Sequence, residues 1–371
     1  MTSTQSTPTP SSGPAAESER SSQRDWIPPI PRPLQQLFDS VPLVTYPPNE
    51  LPYRSPARTE LPTLHVFITE TGAARGLPSF NPSCLKWQTF LRIAGVQHNL
   101  DASTNHASPT GSLPFLQPAL TGDRLDPRQL LPIPSSRLDL YAQRHGSQPS
   151  PSSSAPSSSA ETPDQQHLRQ QAYQSLLDTP IRNAWLYALY LSPANERLLR
   201  KLYITPVSRA SLVQRSLLSQ LRAAARAEIA KAADAPVANG WALEGNLGDL
   251  LTWALSGRTV LDPEKIYAEA RRAVVALETL LGQNTEGRTW FFDAARPTLF
   301  DAHVFSYTYL ILNDDYIHPD VDKAVSESSL DWWGDETLRK VVRDCPRLVE
   351  HAETMLRTYW SESKRGLEES Q

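Results

Sequence analysis

The residue best suited to covalent chemistry is Cys84, which lies in residues 82–95, PSCLKWQTFLRIAG. Proline and serine precede the cysteine and Gly95 follows the last apolar residue, so this segment is predicted to be a helix that begins close to the thiol. A cysteine in the first turn of a helix lies at the positive end of the helix dipole, which lowers the pKa of the thiol. Cys84 could therefore act as a nucleophile or a redox group.

The neighbours of Cys84 favour the opposite interpretation, a buried structural thiol. Apolar residues recur at intervals of three and four and share one face of the predicted helix: Cys84, Trp87, Phe90, Leu91 and Ala94. An apolar setting raises the pKa of a thiol and makes it inert. Asn81 and Trp87 stand where a dithiol oxidoreductase has its second cysteine, so that motif is missing. We predict a buried cysteine; the alternative is a reactive Cys84, or Ser83 or Ser79 in its place.

The composition of the chain excludes several classes of function. The 371 residues include 36 basic and 40 acidic ones, a formal net charge of −4, which offers no general attraction for nucleic acid or an anionic membrane. The two cysteines, Cys84 and Cys345, are far apart in sequence and indicate a reducing compartment. The histidines never fall at metal-ligand spacing with a second histidine or cysteine, so we expect no metal.

No segment has the pattern of a membrane span or a targeting leader. The longest apolar runs, 184–191 and 304–312, are well short of the roughly 18 to 20 residues that cross a bilayer. The N-terminus has neither the apolar stretch of a secretory signal nor the arginine-rich pattern of a mitochondrial presequence. We therefore expect no transmembrane segment.

Changes in composition divide the chain into segments. The predicted division is a disordered tail at 1–25, a proline-rich arm at 26–62, a thioredoxin-like domain at 63–145, a disordered insertion at 146–164, an all-helical domain at 165–360 and a tail at 361–371. The arm carries spaced large apolar residues, of which Trp26, Leu37, Phe38 and Tyr46 are candidates for binding a partner. Packing of the arm on its own domain is the favoured interpretation, and docking of a partner protein is the alternative.

Residues 63–145 show the order of a thioredoxin-like unit. LPTLHVFIT is typical of a short buried strand, the Cys84 helix follows, and VQHNLDAS at 96–103 alternates like a second strand. Pro114 then stands at the entry of a third predicted strand, a position to which sheets confine proline. In a thioredoxin-like order the peptide bond before this proline is cis, and we infer that geometry from the order of the elements.

The patterns from 165 onward are helical and predict an all-α second half. The predicted helices are 165–192, 194–203, 207–234, 246–256, 262–282, 298–312 and 335–359. In RPTLFDAHVF, Thr298 precedes a helical run and Asp301 follows three residues later. We predict a capping box, in which the Thr298 hydroxyl accepts from the Asp301 amide and the Asp301 carboxylate accepts from the Thr298 amide. The adjacent Trp332 and Trp333 are further candidates for contact with a partner.

Two groups of residues could have either a structural role or a functional one. Trp185, Tyr187 and Tyr190 could line a ligand groove, but aromatic residues in so apolar a run are expected in the core of the helical domain. Residues 313–320, NDDYIHPD, could suggest a metal site. Their spacing matches no calcium loop, so helix caps and solvated charges are the favoured interpretation.

Several separated motifs together resemble the glutathione-transferase superfamily, and within it the metaxin family. They are SFNPSCLKWQTFLRIAGV, ASPTGSLPFL and RTWFFDAARPTLFDAHVFSYTYL, and the lead PPIPRPLQQLFDSVPLVTYPPNELP is similar to that of fungal metaxin-like subunits. The likeness covers residues 26–359. It implies a glutathione-transferase-like fold, a thioredoxin-like domain followed by an all-helical domain, in which Cys84, Pro114, Thr298 and Asp301 define the fold.

The resemblance also implies a function. Metaxin-like proteins are peripheral, non-catalytic subunits of the β-barrel sorting and assembly machinery on the cytosolic face of the mitochondrial outer membrane. Its implied partners are a membrane-embedded β-barrel assembly channel, a second metaxin-like subunit and the signal strands of β-barrel precursors. Binding of nucleic acid is not implied.

A glutathione transferase also needs an acidic residue and a serine beyond the cis-proline, which bind the amine and the carboxylate of the tripeptide. The matching stretch is PIPSSRLDLY, where Ser135 stands at the acidic position and only Ser136 matches. We therefore expect no cofactor and no enzymatic activity. Two alternatives stay open: a glutathione-dependent transferase or reductase that uses Cys84 or Ser83, and a cytosolic glutathione-transferase-like interaction module.

Overall fold

A computed structural model describes residues 60–119, 131–148, 163–232, 261–285, 288–312 and 334–360. The predicted tails, nearly all of the proline-rich arm, most of the insertion at 146–164 and the predicted helix 246–256 lie outside these ranges. Within the described ranges, every helix is too short or too polar to traverse a lipid bilayer.

The first half is built on a mixed sheet. Its strands are β1 Thr63–Val66, β2 Asn99–Ala102, β3 Phe115–Gln117 and β4 Ile133–Pro134, in the spatial order β2-β1-β3-β4. β1 pairs with β2 in parallel, β3 pairs with β1 antiparallel, and β4 pairs with β3 antiparallel. Leu64 and Val66 of β1 are fully buried, whereas His65 stacks on Phe115 at 4.3 Å and contacts Asp101 Oδ2 at 2.8 Å. β1 thus buries its apolar residues, and its one histidine is held by an aromatic ring and a carboxylate.

Helices pack around this sheet and lead into the second half. The first half contains α1 Glu70–Ala74, α2 Pro82–Ile93 and α3 Leu138–His145. The second half contains α4 Pro163–Leu176, α5 Arg182–Leu186, α6 Glu196–Leu199, α7 Ser211–Ala232, α8 Pro263–Gly282, α9 Leu299–Leu312, α10 Thr337–Arg343 and α11 Pro346–Tyr359. The predicted fold class, a thioredoxin-like domain followed by a helical domain, is confirmed.

The most extensive contact between elements joins α2 to α9, across the two halves. Every residue of α9 from Phe300 to Leu312 is buried, so this helix is enclosed by other elements on all sides. α2 turns its predicted apolar face inward, and Cys84, Leu85 and Leu91 are fully buried. The two halves therefore share one hydrophobic core.

Proline positions explain two departures from the predicted helices. The segment predicted as one helix over 335–359 is two helices, because Pro346 lacks the amide that would continue the first and instead occupies the first turn of α11. Pro180 lies inside Leu177–Ile181, a wide π-helical turn between α4 and α5. Such a turn accommodates a residue that cannot complete the regular hydrogen-bond ladder.

The predicted capping box at the start of α9 forms, with one difference. The Thr298 amide donates to Asp301 Oδ2 at 2.8 Å, as predicted, and the Thr298 hydroxyl donates to the same oxygen at 2.8 Å. The hydroxyl oxygen, however, accepts from the Phe300 amide at 3.2 Å; the expected acceptance from the Asp301 amide was wrong. The hydrogen bond to the carboxylate holds the Thr298 hydroxyl near the Phe300 amide, the second of the helix. The Asp301 amide, the third, is not its donor.

Asp301 also holds parts of the chain outside its own helix. Its Oδ1 accepts from the Phe291 amide at 2.9 Å and lies 3.2 Å from His351 Nε2 of α11. The side chains of Asp301 and His351 are 0% and 1% exposed, so this is a buried network. The carboxylate therefore fastens the start of α9 to the preceding loop and to α11.

Replacing Asp301 is expected to cost far more stability than removing an exposed helix cap. Asp301→Ala leaves the buried Phe291 amide, the partly buried Thr298 donors and the buried His351 ring without an acceptor, a loss of about 3 kcal/mol or more in the free energy of unfolding. The matched control is Asp262→Ala, which removes the exposed cap of α8 and should cost about 1 kcal/mol. Urea unfolding followed by tryptophan fluorescence measures both values. Equal losses would contradict a central role for the Asp301 network.

Candidate functional site

The candidate site is the start of α2, where the sequence places Cys84. Asn81 caps this helix: its Oδ1 accepts from the Cys84 amide at 3.2 Å, and Pro82 occupies the first turn. The Asn81 side chain also donates from Nδ2 to the hydroxyl of Tyr203 at 3.2 Å. One asparagine thus satisfies an end amide of α2 and ties the first half to the second.

The Cys84 thiol is sealed inside the protein. The residue is 0% exposed, and burial raises the pKa of the thiol from 9.0 to about 12, against smaller opposing effects of the Phe67 carbonyl and the Ser79 hydroxyl. Loss of water around the sulfur therefore outweighs any help from the helix dipole. The predicted burial of Cys84 is confirmed, and at neutral pH the group is a thiol and not a nucleophilic thiolate.

Four aromatic side chains cover the start of α2, and we call them the aromatic lid: Phe67, Phe80, Tyr190 and Tyr203. The Tyr203 ring lies 5.2 Å from Phe67, 5.3 Å from Phe80 and 5.8 Å from Tyr190, measured between ring centres. The first two contacts have the edge-to-face geometry that aromatic pairs prefer. Two residues of the lid come from each half, so the halves close over the thiol together.

The phenol groups of the lid are also desolvated. Tyr190 and Tyr203 are partly exposed as whole side chains, but burial of the hydroxyl ends raises the pKa of Tyr190 to about 12 and raises the pKa of Tyr203 well above its ordinary value. Neither phenol is poised to ionise near neutral pH. Proton transfer by these two groups is therefore unfavourable.

The two serines named as alternatives to Cys84 differ in their surroundings. Ser79 is buried; its hydroxyl donates to the Phe67 carbonyl at 2.6 Å and accepts from the Asn81 amide at 3.2 Å, so it is fully engaged. Ser83 is exposed, and its hydroxyl has no hydrogen-bond partner within the described ranges. A serine nucleophile needs an adjacent general base, which Ser83 does not have there.

Pro114 lies at the entry of β3, where the sequence places it. The Leu113–Pro114 peptide bond is cis, as inferred, and both residues are buried. The Leu113 amide donates to Asn105 Oδ1 at 3.0 Å. An extended ligand that paired with this amide would have to displace the Asn105 side chain.

The stretch PIPSSRLDLY, which corresponds to the glutathione-binding residues of glutathione transferases, leads into α3. Ser135 and Ser136 form a single tight turn, and Ser136 is exposed. The structure adds a residue that the sequence analysis did not consider: Asp139 in the first turn of α3, whose Oδ1 is buried without a hydrogen-bond partner among the described residues. Its position three residues after Ser136 was the signal that could have found it. A carboxylate is therefore present one helical turn beyond the predicted position.

Only some of the other residues singled out in the sequence lie within the ranges that the structure describes. Trp26, Leu37, Phe38, Tyr46, Trp332 and Trp333, the candidates for partner binding, lie outside the described residues, and so does the acidic stretch 313–320. In the described ranges, no group of three or more histidine, cysteine, aspartate or glutamate residues could hold a metal ion. Trp185 is buried in the core, as predicted, whereas Tyr190 belongs to the aromatic lid.

Sequence reasoning did not find most of the lid. Phe67 and Phe80 were treated as strand and loop residues, and Tyr203 as part of a helix. The local signal was Asn81 directly before Pro82, which is typical of a helix cap. No local signal links Asn81 to Tyr203, since they are 122 positions apart.

Comparison with family models finds two matches in this chain. Residues 82–195 match the glutathione S-transferase N-terminal domain, and residues 270–355 match the glutathione S-transferase C-terminal domain. The two ranges together cover more than half of the chain. Comparison with curated proteins finds no match.

Solved structures with a similar course of the chain include glutathione transferases. A glutathione transferase from Phanerochaete chrysosporium has 12% identity and a TM-score of 0.37, with 78% of this chain and 97% of that chain covered. Ure2p in complex with glutathione has 12% identity and a TM-score of 0.33, with 87% and 99% covered. Maleylacetoacetate isomerase from Anaeromyxobacter dehalogenans has 15% identity and a TM-score of 0.25, with 81% and 93% covered. These similarities are too low to indicate a shared activity.

Cys84 is expected to resist alkylation in the folded protein. Raising the pKa from 9.0 to about 12 lowers the thiolate fraction at neutral pH on the order of a thousandfold, before the steric block by the lid is counted. Iodoacetamide labelling, followed by mass spectrometry of the Cys84 peptide, should therefore be slow in native protein and fast in urea.

Opening the lid should restore reactivity. Tyr203→Ala removes the central ring and should speed native labelling of Cys84 at least tenfold, because water then reaches the sulfur. Tyr173→Ala, which removes a tyrosine that contacts Phe292 and not the lid, is the matched control and should leave the rate unchanged. Rapid labelling of Cys84 in the unaltered protein would contradict its sealed position.

Proposed function

Because this chain belongs to the glutathione-transferase-like superfamily and has closed the site at the start of α2, we propose that it works by binding and not by catalysis. We propose further that it is a peripheral subunit of the β-barrel sorting and assembly machinery on the cytosolic face of the mitochondrial outer membrane. There it would help recognise and insert β-barrel precursors.

The closed aromatic lid is the observation that carries the first part of this proposal. A glutathione-dependent enzyme must bring a substrate sulfur to a nucleophile or hydrogen-bond donor at the start of this helix. Here that space holds the rings of Phe67, Phe80 and Tyr203, and the Asn81 side chain that would face a ligand is bonded to Tyr203. The same groups stabilise the contact between the halves, a use that suits a structural or binding protein.

The second part of the proposal rests on the sequence resemblance to metaxins. The motif around Cys84, the glycine-x-x-proline entry of β3 and the capping box of Thr298 and Asp301 occur in the metaxin order. The implied partners are the membrane-embedded β-barrel channel, a second metaxin-like subunit and the signal strands of precursors. Attachment through those partners would need no membrane-spanning helix in this chain.

The sheet offers a surface for such strands. The Asn99 amide donates to the Pro62 carbonyl at 2.9 Å, and the Ser103 amide donates to the Val66 carbonyl at 3.0 Å. Because main-chain groups alternate sides along a strand, those of Leu100 and Ala102 face away from β1. Among the described strands none pairs with this edge, since β2 is the last in the order. An extended precursor segment could therefore add to β2 by main-chain hydrogen bonds.

Two observations support the enzyme alternative. Asp139 offers a carboxylate with one buried, unpartnered oxygen near Ser136, and Ser83 is exposed at the start of α2. A glutathione-dependent transferase or reductase would be retained on immobilised glutathione and would lose that retention in Asp139→Asn. The proposed binding protein would pass through the column.

The assembly role predicts specific co-purification. A tagged copy recovered in mild detergent from mitochondria of its own source should bring down an outer-membrane β-barrel protein and a second glutathione-transferase-like subunit, identified by mass spectrometry. A tagged glutathione transferase of the cytosol, processed in parallel, controls for adhesion of barrel proteins to this fold. Recovery of the protein without either partner would contradict the assembly role and favour the cytosolic interaction module.

Strand addition predicts that a proline on the outer edge of β2 weakens binding. Ala102→Pro removes an outward-facing amide and should lower the affinity for a labelled peptide of a precursor's terminal strand by about tenfold, measured by fluorescence anisotropy. Asn99→Ala, which trims an exposed side chain of the same strand and keeps the outer edge, should bind as the unaltered protein does. Equal affinity in all three proteins would exclude the β2 edge as the binding surface.

A further inference from the structure

A large excess of positive charge collects around α6 and α7. Residues 193–232 contain eight basic residues and two acidic ones, although the whole chain carries a net charge of −4. Five of the basic side chains are exposed and have no hydrogen-bond or ion-pair partner within the described ranges, and we call them the basic face: Arg197, Lys201, Arg209, Arg215 and Arg226. The charge of the chain is therefore strongly uneven.

The two acidic residues of this region do not balance the excess. Glu196 lies 2.8 Å from the Arg200 guanidinium and 2.9 Å from that of Arg222, and these contacts hold its pKa below the usual value. Glu228 is likewise ionised and shared by two cations, Arg182 at 3.2 Å and Lys231 at 2.9 Å. Each carboxylate thus meets two positive charges, so neither neutralises a member of the basic face.

The geometry of α7 places two cations of the basic face, Arg215 and Arg226, on one side of the helix. Arg215 and Arg226 are eleven residues apart, which is three helical turns, so they project in nearly the same direction. Arg222 adjoins that direction and bonds both Glu196 and the Tyr190 carbonyl, which brings the α6 segment alongside α7. The buried side of α7, with Leu218, Ala225 and Ile229, faces the core.

Exposed apolar side chains lie at the start of α7, next to the basic face. Val207 is 51% exposed, Leu212 is 77% exposed and Val213 is 44% exposed, all within the loop before α7 and its first turn. Leu212 is three residues before Arg215, on the adjacent part of the helix surface. Single exposed apolar residues are ordinary, but three together beside unpaired cations form an amphipathic surface.

We propose that this surface docks on a bilayer that contains anionic phospholipids. The cations of the basic face would lie at the level of the lipid phosphates, and Val207, Leu212 and Val213 would enter the boundary between headgroups and acyl chains. The long arginine and lysine side chains suit this arrangement, because their apolar stems can lie along the membrane while the charged ends stay in water.

The same surface fits nucleic acid poorly. Residues 193–232 contain one aromatic residue, Tyr203, whose ring packs against Phe67 and Phe80 in the aromatic lid, so no aromatic ring of this region is free for a base to stack on. Its three exposed apolar side chains would have no counterpart on a phosphate backbone. A lipid surface supplies both the negative charge and an apolar layer beneath it.

This inference goes beyond the assembly role and needs only lipid, so the two can fail separately. The purified full chain is mixed with vesicles of phosphatidylcholine alone, or with about one lipid in four replaced by phosphatidylserine, and vesicle-bound protein is measured by sedimentation. We expect binding to the anionic vesicles only, with weaker binding as salt is raised. Equal binding to both vesicles, or to neither, would overturn the proposal whatever the co-purification shows.

Substitutions in the basic face test whether it is the surface that binds the vesicles. Arg215→Gln combined with Arg226→Gln should lower the affinity for anionic vesicles about 25-fold, since each cation near the surface contributes roughly fivefold. Arg144→Gln combined with Arg357→Gln makes the same change in net charge on other helices. This control should lower the affinity for anionic vesicles less than about twofold. Leu212→Ser should also weaken binding, with the salt dependence unchanged. A loss as large in the Arg144 and Arg357 control would assign the binding to net charge and overturn the proposed surface.

Discussion

The packing of α2 against α9 is the interaction on which the rest of the structure depends. α9 is buried from Phe300 to Leu312, so these residues have no stable position except between α2 and the helices of the second half. Burying a single large apolar side chain such as Phe305 contributes about 1.5–3 kcal/mol, and this contact buries many of them. Asp301 then fixes where α9 begins, because its carboxylate gathers donors from three separate parts of the chain.

Further contacts between the halves follow from that packing. Arg92, which is partly buried on α2, donates to the carbonyls of Gly76 and Tyr359 and lies 4.0 Å from the ring centre of Trp360. At the other end of α2, Asn81 donates to Tyr203. Both ends of one helix of the first half are thus held by groups of the second half. The start of this helix cannot open without breaking contacts that stabilise the whole molecule.

This arrangement explains why the Cys84 thiol is buried and why its pKa is raised. The face that carries Cys84 is the face that packs inward, so the position that the helix dipole would favour for chemistry is also the most desolvated one. Packing decides the outcome, since burial raises the pKa more than the dipole can lower it. The surfaces that we propose for binding lie elsewhere, at the outer edge of β2 and on the basic face with its exposed apolar end.

The sequence by itself determined the features whose signals lie within a few residues of one another. The spacing of Cys84, Trp87 and Leu91 predicted the buried side of α2, and Thr298 with Asp301 predicted the start of α9, because helix periodicity and capping are local. The tertiary structure decided what covers Cys84 and which charges stand together. Asn81 meets Tyr203 across 122 positions, and the contact of Arg222 with Glu196 that holds α6 beside α7 spans 26 positions. Such contacts depend on how elements pack, which no pattern within a short segment encodes.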